Sequence, residues 1–237
     1  MITLKDLRSI PVQWNTDENK TARKHYAEWM MAEGLQKDIL IFLDEFGVNV
    51  WTSRSKGRSL KGNRSVRVRS GQRGKNLTLC LAVSPQLGYV HHMFVSGGMT
   101  REHFMMMISE VDALVENSFS LLLDNARPHS DPPRMAEHHE FRFLPKYSPF
   151  LNAAEMAGSC VKAAAKRRLS EPSIHQELED RNAVAAAHQT LQEHRLIVLR
   201  REMEIAIGCL TQPKCQEWFN HTMTYIPKCL REDNIYD

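Results

Sequence analysis

Three acidic residues stand where carboxylates can do chemistry. Asp44 closes the apolar run Ile39-Leu-Ile-Phe-Leu43, Asp124 closes Phe119-Ser-Leu-Leu-Leu123, and Glu155 lies one turn into a helical stretch opening near Asn152. A buried-type strand that ends on an Asp delivers its carboxylate to the C-terminal edge of an α/β sheet. The plainer reading of such an Asp is a helix cap or a turn residue. If the two strands are neighbours, two carboxylates lie side by side, and a helix crossing that edge adds a third. Gathered carboxylates repel one another unless cations sit among them, which suits hard, oxygen-ligated Mg²⁺ or Mn²⁺. Two such ions ~3.5–4 Å apart activate an attacking oxygen and stabilise a leaving one during in-line phosphoryl transfer. Phosphodiester cleavage needs little covalent help from protein, so acids and metals suffice.

A second feature points the same way. Between Thr52 and Lys75 stand Arg54, Lys56, Arg58, Lys61, Arg64, Arg67, Arg69, Arg73 and Lys75, with no acid among them. Gly57, Gly62, Gly71 and Gly74 are interleaved, so the segment reads as a flexible or hairpin-like stretch rather than a helix. The net charge is only +3, so this is a local concentration of cations. It fits a polyanion better than a merely solvated loop. The acids and the cations together describe a metal-dependent nuclease or strand transferase.

The rest of the composition narrows the class. The 237 residues suffice for one good core, and no apolar run approaches the ~18 residues of a membrane span. Five cysteines without a CxxC fit reduced thiols inside a cell. Cys209, Cys215, His221 and Cys229 match no usual zinc spacing.

The elements that must position the acids follow from periodicity. Residues up to about 18 read as an arm, and Lys20 to Ala32 as a helix stopped by Gly34. Asp38 to Asp44 is a strand buried on both faces. Asn76–Val83 and Tyr89–Val95 form a hairpin, Thr100 caps a helix through Val115, and the Met105–Met107 triplet there reads as core filler. The Asp124 strand and a short strand from Glu140 to Leu144 come next. From Asn152 to Leu169 a small-residue face, Ala154, Ala157, Gly158, Val161 and Ala165, suits a helix lying close on a sheet. Asp180 to Gly208 reads as one helix, and a last short helix falls between Pro213 and Leu230. The expected architecture is α/β: a ribonuclease H-like, mixed five-stranded sheet flanked by helices, with a helical C-terminal extension. Three segments are expected: an N-terminal arm and helix over 1–37, the catalytic core over 38–170, and the extension over 171–237.

These residues resemble the DDE transposases of the mariner superfamily. The matching motifs are Phe42-Leu-Asp44-Glu45, Gly57-Arg-Ser-Leu-Lys61-Gly62-Asn-Arg, Leu123-Asp124-Asn125-Ala-Arg-Pro-His129 and Leu144-Pro-Lys-Tyr147-Ser148-Pro149-Phe-Leu151-Asn152, followed by Glu155 and Lys162. The resemblance covers about residues 39–170. It implies a triad of Asp44, Asp124 and Glu155 holding two divalent metals, Mg²⁺ or Mn²⁺. It also implies cleavage at the ends of a transposable element and 3′-OH attack on target DNA. Double-stranded DNA is then the partner, contacted by the basic segment and Lys162, with a homodimer and a nuclear location (or an intracellular one in a prokaryote) as further expectations. The paired helix-turn-helix domains that precede such cores have no counterpart, and Met1 to about Asn19 would be the remnant of their linker.

The pattern departs from the family beside the third acid. The family's Asn-Pro-Ile-Glu is here Asn152-Ala153-Ala154-Glu155, and Gly158 stands where a Trp is usual. The lost bulk predicts a looser seat for the helix that carries Glu155. Among the neighbours, Glu45 points to the opposite strand face from Asp44 and is expected to salt-bridge outward. Asn125 is a candidate to orient Asp124 or meet a phosphate. His129 is a candidate DNA or metal contact, or a turn stabiliser. Trp51 and the His91-His92 pair read as ordinary packing. Two functions remain open: a working transposase domain, or a decayed or domesticated DNA-binding protein that keeps the fold without catalysis.

Overall fold

Strand β1 (Ile39–Val48) is the centre of the sheet, and its first five residues are all buried. An unbroken apolar run of this kind can be satisfied only where both faces are covered. The computed structural model describes residues 9–52, 58–66, 76–126, 129, 132, 135 and 137–236. On one side of β1, β2 (Leu77–Ser84) and β3 (Gly88–Ser96) continue an antiparallel meander. On the other side, β4 (Phe119–Leu123) and β5 (Glu140–Phe143) pair in parallel. The order β3-β2-β1-β4-β5 is the expected mixed five-stranded sheet.

The two faces of β1 enter different cores. Ile39, Ile41 and Leu43 pack with Phe104, Ile108 and Val111 of helix α2 (Arg101–Leu114). Leu40, Phe42 and Phe46 pack under helix α1 (Asp17–Ala32) and helix α3 (Ala153–Arg168). Three short or later helices, α4 (Pro172–Glu177), α5 (Arg181–Ala186) and α6 (Leu191–Ile207), lead to α7 (Gln212–Met223) and α8 (Ile226–Leu230). Tyr26 and Trp29 of α1, Leu199 of α6, Phe219 of α7 and Cys229 of α8 join the same buried cluster as Phe42. The segments 1–37, 38–170 and 171–237 thus share one core.

Several boundaries differ from the sequence expectation. Helix α1 begins at Asp17 rather than Lys20, because Thr16 accepts the Asn19 N–H and Asp17 and Glu18 complete an acidic first turn. Strand β1 does not end at Asp44. Its parallel pairing with β4 stops at Phe42↔Leu122, but β2 carries the ladder on from Asp44↔Leu81 to Val48↔Leu77. The single helix expected over 180–208 is divided into α5 and α6. His188 takes a left-handed φ of 50° in the break, and Thr190 with Glu193 forms a capping box that starts α6 anew. Of the methionine triplet only Met107 is fully buried, and Met106 faces solvent.

Candidate active site

The strand register brings the first two acids together. Phe42 pairs with Leu122, and Asp44 and Asp124 each stand two residues further along the chain, on the same face as that pair. The third acid arrives on α3, whose first turn is stitched to β1 by one side chain. Asn152 accepts the Ala154 N–H with its Oδ1 at 3.1 Å and donates from Nδ2 to the Leu43 carbonyl at 3.2 Å. The helix therefore starts against the residue preceding Asp44. One turn beyond Ala154, Gly158 meets Phe46, and a Cβ there would lie 2.9 Å from two ring carbons. The looser seat expected from the missing Trp is not found: Phe46 fills that space, and Ala153, Ala154 and Ala157 are fully buried against the sheet. Asp44, Asp124 and Glu155 all line one open cleft of about 830 Å³, together with Asn125, Tyr147 and Asn152.

The charges in this cleft are poorly compensated from within. Burial, then Glu155 and Glu45, and lastly Asp124 push the Asp44 carboxyl up to about 8, against a hydrogen bond from the Glu45 backbone. Glu155 is also raised by burial and by Asp124, with Lys162 opposing. Asp124 moves the other way. Burial favours its protonated form, but hydrogen bonds from His129 and the Ala126 N–H, with the histidine charge, hold it below the usual carboxylate range.

His129 is fully buried and lies between two acids, with Nδ1 2.7 Å from Asp124 Oδ1 and Nε2 2.6 Å from Glu45 Oε1. Burial alone would lower it; the hydrogen bonds and charges of both carboxylates lift it to about 10, so the ring is an imidazolium. Glu45 does face away from Asp44 but does not salt-bridge outward: its partner is this inward histidine, with the Phe104 ring 4.6 Å from the imidazole. Glu45, Asp124 and His129 bring ligand atoms within 4.8 Å of one another, a spacing a metal could use. Without an ion the ring bridges both carboxylates as an ion triad; a metal there would have to displace a ring proton. Asn125 donates to the Leu144 carbonyl at 2.5 Å and ties the turn after β4 to the end of β5.

The basic residues divide between described and undescribed parts of the chain. Arg58, Lys61 and Arg64 are exposed, whereas Arg54, Lys56, Arg67, Arg69, Arg73 and Lys75 lie outside the described residues. Lys162 places its Nζ over the Phe46 ring, 4.5 Å from the centroid, beside Glu155. All five cysteines are free, and no zinc-type cluster forms among the described residues.

One contributor to the cleft gave no sequence signal. Arg23 of α1 is buried and donates to the Ser148 Oγ and the Tyr147 carbonyl, each at 2.9 Å, to Asn15 Oδ1 at 3.1 Å, and to the Trp14 carbonyl. A buried Arg is ordinarily expected opposite a carboxylate, and here its four partners are neutral oxygens on the arm and on the cleft wall.

Comparison with known proteins agrees with this geometry. Solved structures similar to this chain include the Mos1 transposase paired-end complex with left transposon end, at 14% identity and a TM-score of 0.65 over 100% of this chain and 68% of that one. The Mos1 mariner paired end complex with Mn matches at 14% identity and 0.66, over 99% and 68%. The catalytic domain of Mos1 mariner transposase matches at 12% identity and 0.57, over 97% and 98%. At such identities the likeness is one of fold, the ribonuclease H-like arrangement expected. A comparison with curated protein sequences yields no match. Residues 39–176, more than half of the sequence and including all three acids, match the DDE superfamily endonuclease family, and the chain belongs to that family.

Proposed function

We propose that the chain acts as the catalytic part of a DNA transposase, cutting DNA strands at element ends and joining the freed 3′-OH to target DNA. The observation that carries this reading is the meeting of Asp44, Asp124 and Glu155 in one open cleft of a DDE-family chain. The solved relatives of the same fold include a strand transfer complex and complexes with Mn and with Mg.

Asp44, Asp124 and Glu155 would hold two divalent ions. The donors fit: all are carboxylate oxygens suited to hard cations, and the mutual repulsion that helps lift Asp44 to about 8 is what a cation relieves. Bound there, Mg²⁺ or Mn²⁺ would activate the attacking oxygen and stabilise the leaving one. The chain's own residues supply position. His129 and the Ala126 N–H both hold the Oδ1 of Asp124, which leaves its Oδ2 for a ligand; Asn152 fixes the start of the helix bearing Glu155. Lys162 and the basic segment from Arg54 to Lys75 would meet DNA phosphates. Two protomers, one for each element end, would make the working assembly, in the nucleus or wherever the genome lies.

The test is nicking of supercoiled plasmid in Mn²⁺ by the purified chain, alongside Mn²⁺ titration calorimetry. Nicking that disappears in Asp44→Asn and Asp124→Ala, together with lost Mn²⁺ binding, supports the reading. Neither nicking nor Mn²⁺ binding by the unaltered chain defeats it. Salt-dependent DNA binding that persists in Asp124→Ala without any nicking would instead establish a DNA-binding protein that keeps the fold.

A further inference from the structure

Tyr147 sits on the wall of the acidic cleft with a left-handed backbone, φ +53°. Among the described residues only two other non-glycine positions share that conformation, His188 and Glu232, and neither lines the cleft. For a bulky side chain this is a strained conformation that persists only where the surroundings enforce it. Here the enforcement is visible. Buried Arg23 donates to the Tyr147 carbonyl and to Ser148 Oγ, both at 2.9 Å, and Ser148 Oγ in turn donates to the Lys146 carbonyl at 3.1 Å. The ring so displayed is 42% exposed, and it has neither an aromatic partner nor a hydrogen bond among the described residues. A strained backbone, an internal arginine that holds it, and an unpartnered aromatic beside three acids are difficult to explain as packing.

We propose that Tyr147 is a stacking platform for the nucleobase adjacent to the phosphate that enters the acidic cleft. The inference rests on the reading of the cleft as a DNA-processing site. At a nick, overhang or cut end the base beside the phosphate has lost part of its stacking, and an aromatic face can replace it. Every base has a π-face, so the contact tolerates any sequence. The ring does this, not the hydroxyl, and Arg23 is the positioning residue that keeps the ring at the wall.

The experiment uses a short duplex with a single-stranded 3′ overhang and 2-aminopurine at the junction, in Ca²⁺, with the full chain. The unaltered chain is expected to quench the probe, and Tyr147→Phe to quench it equally. Tyr147→Gly is expected to lose the quenching and to bind the duplex about tenfold more weakly, in line with the loss of one base–aromatic stack. The same variant should melt no lower than the parent, because glycine adopts φ above zero without strain. Quenching by Tyr147→Gly at the parent's level overturns the proposal, as does a lower melting point, which would mark the ring as packing. Failure of Tyr147→Phe would assign the hydroxyl and overturn the stacking role. A parent chain that neither binds nor quenches overturns the DNA-processing reading, and this inference with it.

Discussion

Gly158 of α3 rests against the ring of Phe46 on β1 so closely that a Cβ would stand 2.9 Å from two ring carbons. A Gly→Ala change inside a helix normally gains ~1 kcal/mol in propensity. Overpacking a tight site costs ~1–3 kcal/mol. Gly158→Ala is therefore expected to lower stability to urea on balance, and to weaken metal-dependent nicking by displacing Glu155. Adding Phe46→Leu should return part of both. A Gly158→Ala protein more stable than the parent would show that the Phe46 ring yields freely.

His129 ties Glu45 of β1 to Asp124, the residue that follows β4. Removing it leaves Glu45, only 15% exposed, without its cation, while Asp124, 53% exposed, can turn to water. The cost is therefore about 1–3 kcal/mol, below that of a fully buried pair. His129→Ala should lose stability on that scale. The double variant Glu45→Gln/His129→Ala should lose less than the sum of its parts, and a denaturation cycle measures the difference. Additive losses would mean that the two side chains are not coupled.

Titration of Asp44 gives a pH dependence of definite sign. Its folded pKa is about 8 against an ordinary value of 3.8, so between those limits the metal-free fold keeps a proton that the unfolded chain has lost. Stability of the metal-free protein therefore falls as pH rises through that window, and apparent Mn²⁺ affinity rises, by up to about tenfold per pH unit. Calorimetry in buffers of different ionisation enthalpy should register proton release on binding at about pH 6.5 that fades above the Asp44 pKa. His129 acts in the same direction over a higher window: its contribution is complete below its ordinary 6.5 and is lost as pH climbs through about 10. Mn²⁺ affinity that ignores pH would refute the assignment to Asp44.

Arg58, Lys61 and Arg64 are exposed members of the basic segment. If they meet phosphates, neutralising all three should weaken DNA binding whatever the sequence. The plot of log affinity against log salt should also flatten, by about 0.9 for each phosphate that no longer has a cation beside it. An unchanged slope would place the DNA elsewhere.

Much of this arrangement was legible in the residues themselves. The apolar runs before Asp44 and Asp124, and the small-residue face from Ala154 to Ala165, prescribe two buried strands and a closely seated helix. The β1–β4 ladder makes the strands neighbours, and all three acids line one cleft. Strand alternation also put Glu45 on its correct face. It could not supply the inward partner, because His129 lies 84 positions away and returns through a loop whose path no periodicity specifies. Arg23 was hidden for the same reason: 124 positions separate it from Tyr147, and nothing local marks it. Tyr147 stands in the Leu144-to-Asn152 motif, without any sign of the backbone it adopts. The start of α1 and the break before α6 were different. Thr16 and the Thr190/Glu193 pair are local start signals, outweighed by the longer patterns around them.

The mixed direction of the sheet also sets an order of assembly. The meander β1-β2-β3 joins strands that follow one another in the chain, whereas the parallel β1–β4 ladder must wait for the α2 crossover. Asp44 is paired locally through β2, whereas Asp124 and Glu155 reach it only through the long-range β1–β4 ladder and the seat of α3 on β1. The acidic cleft is therefore complete only when these later parts of the chain are in place.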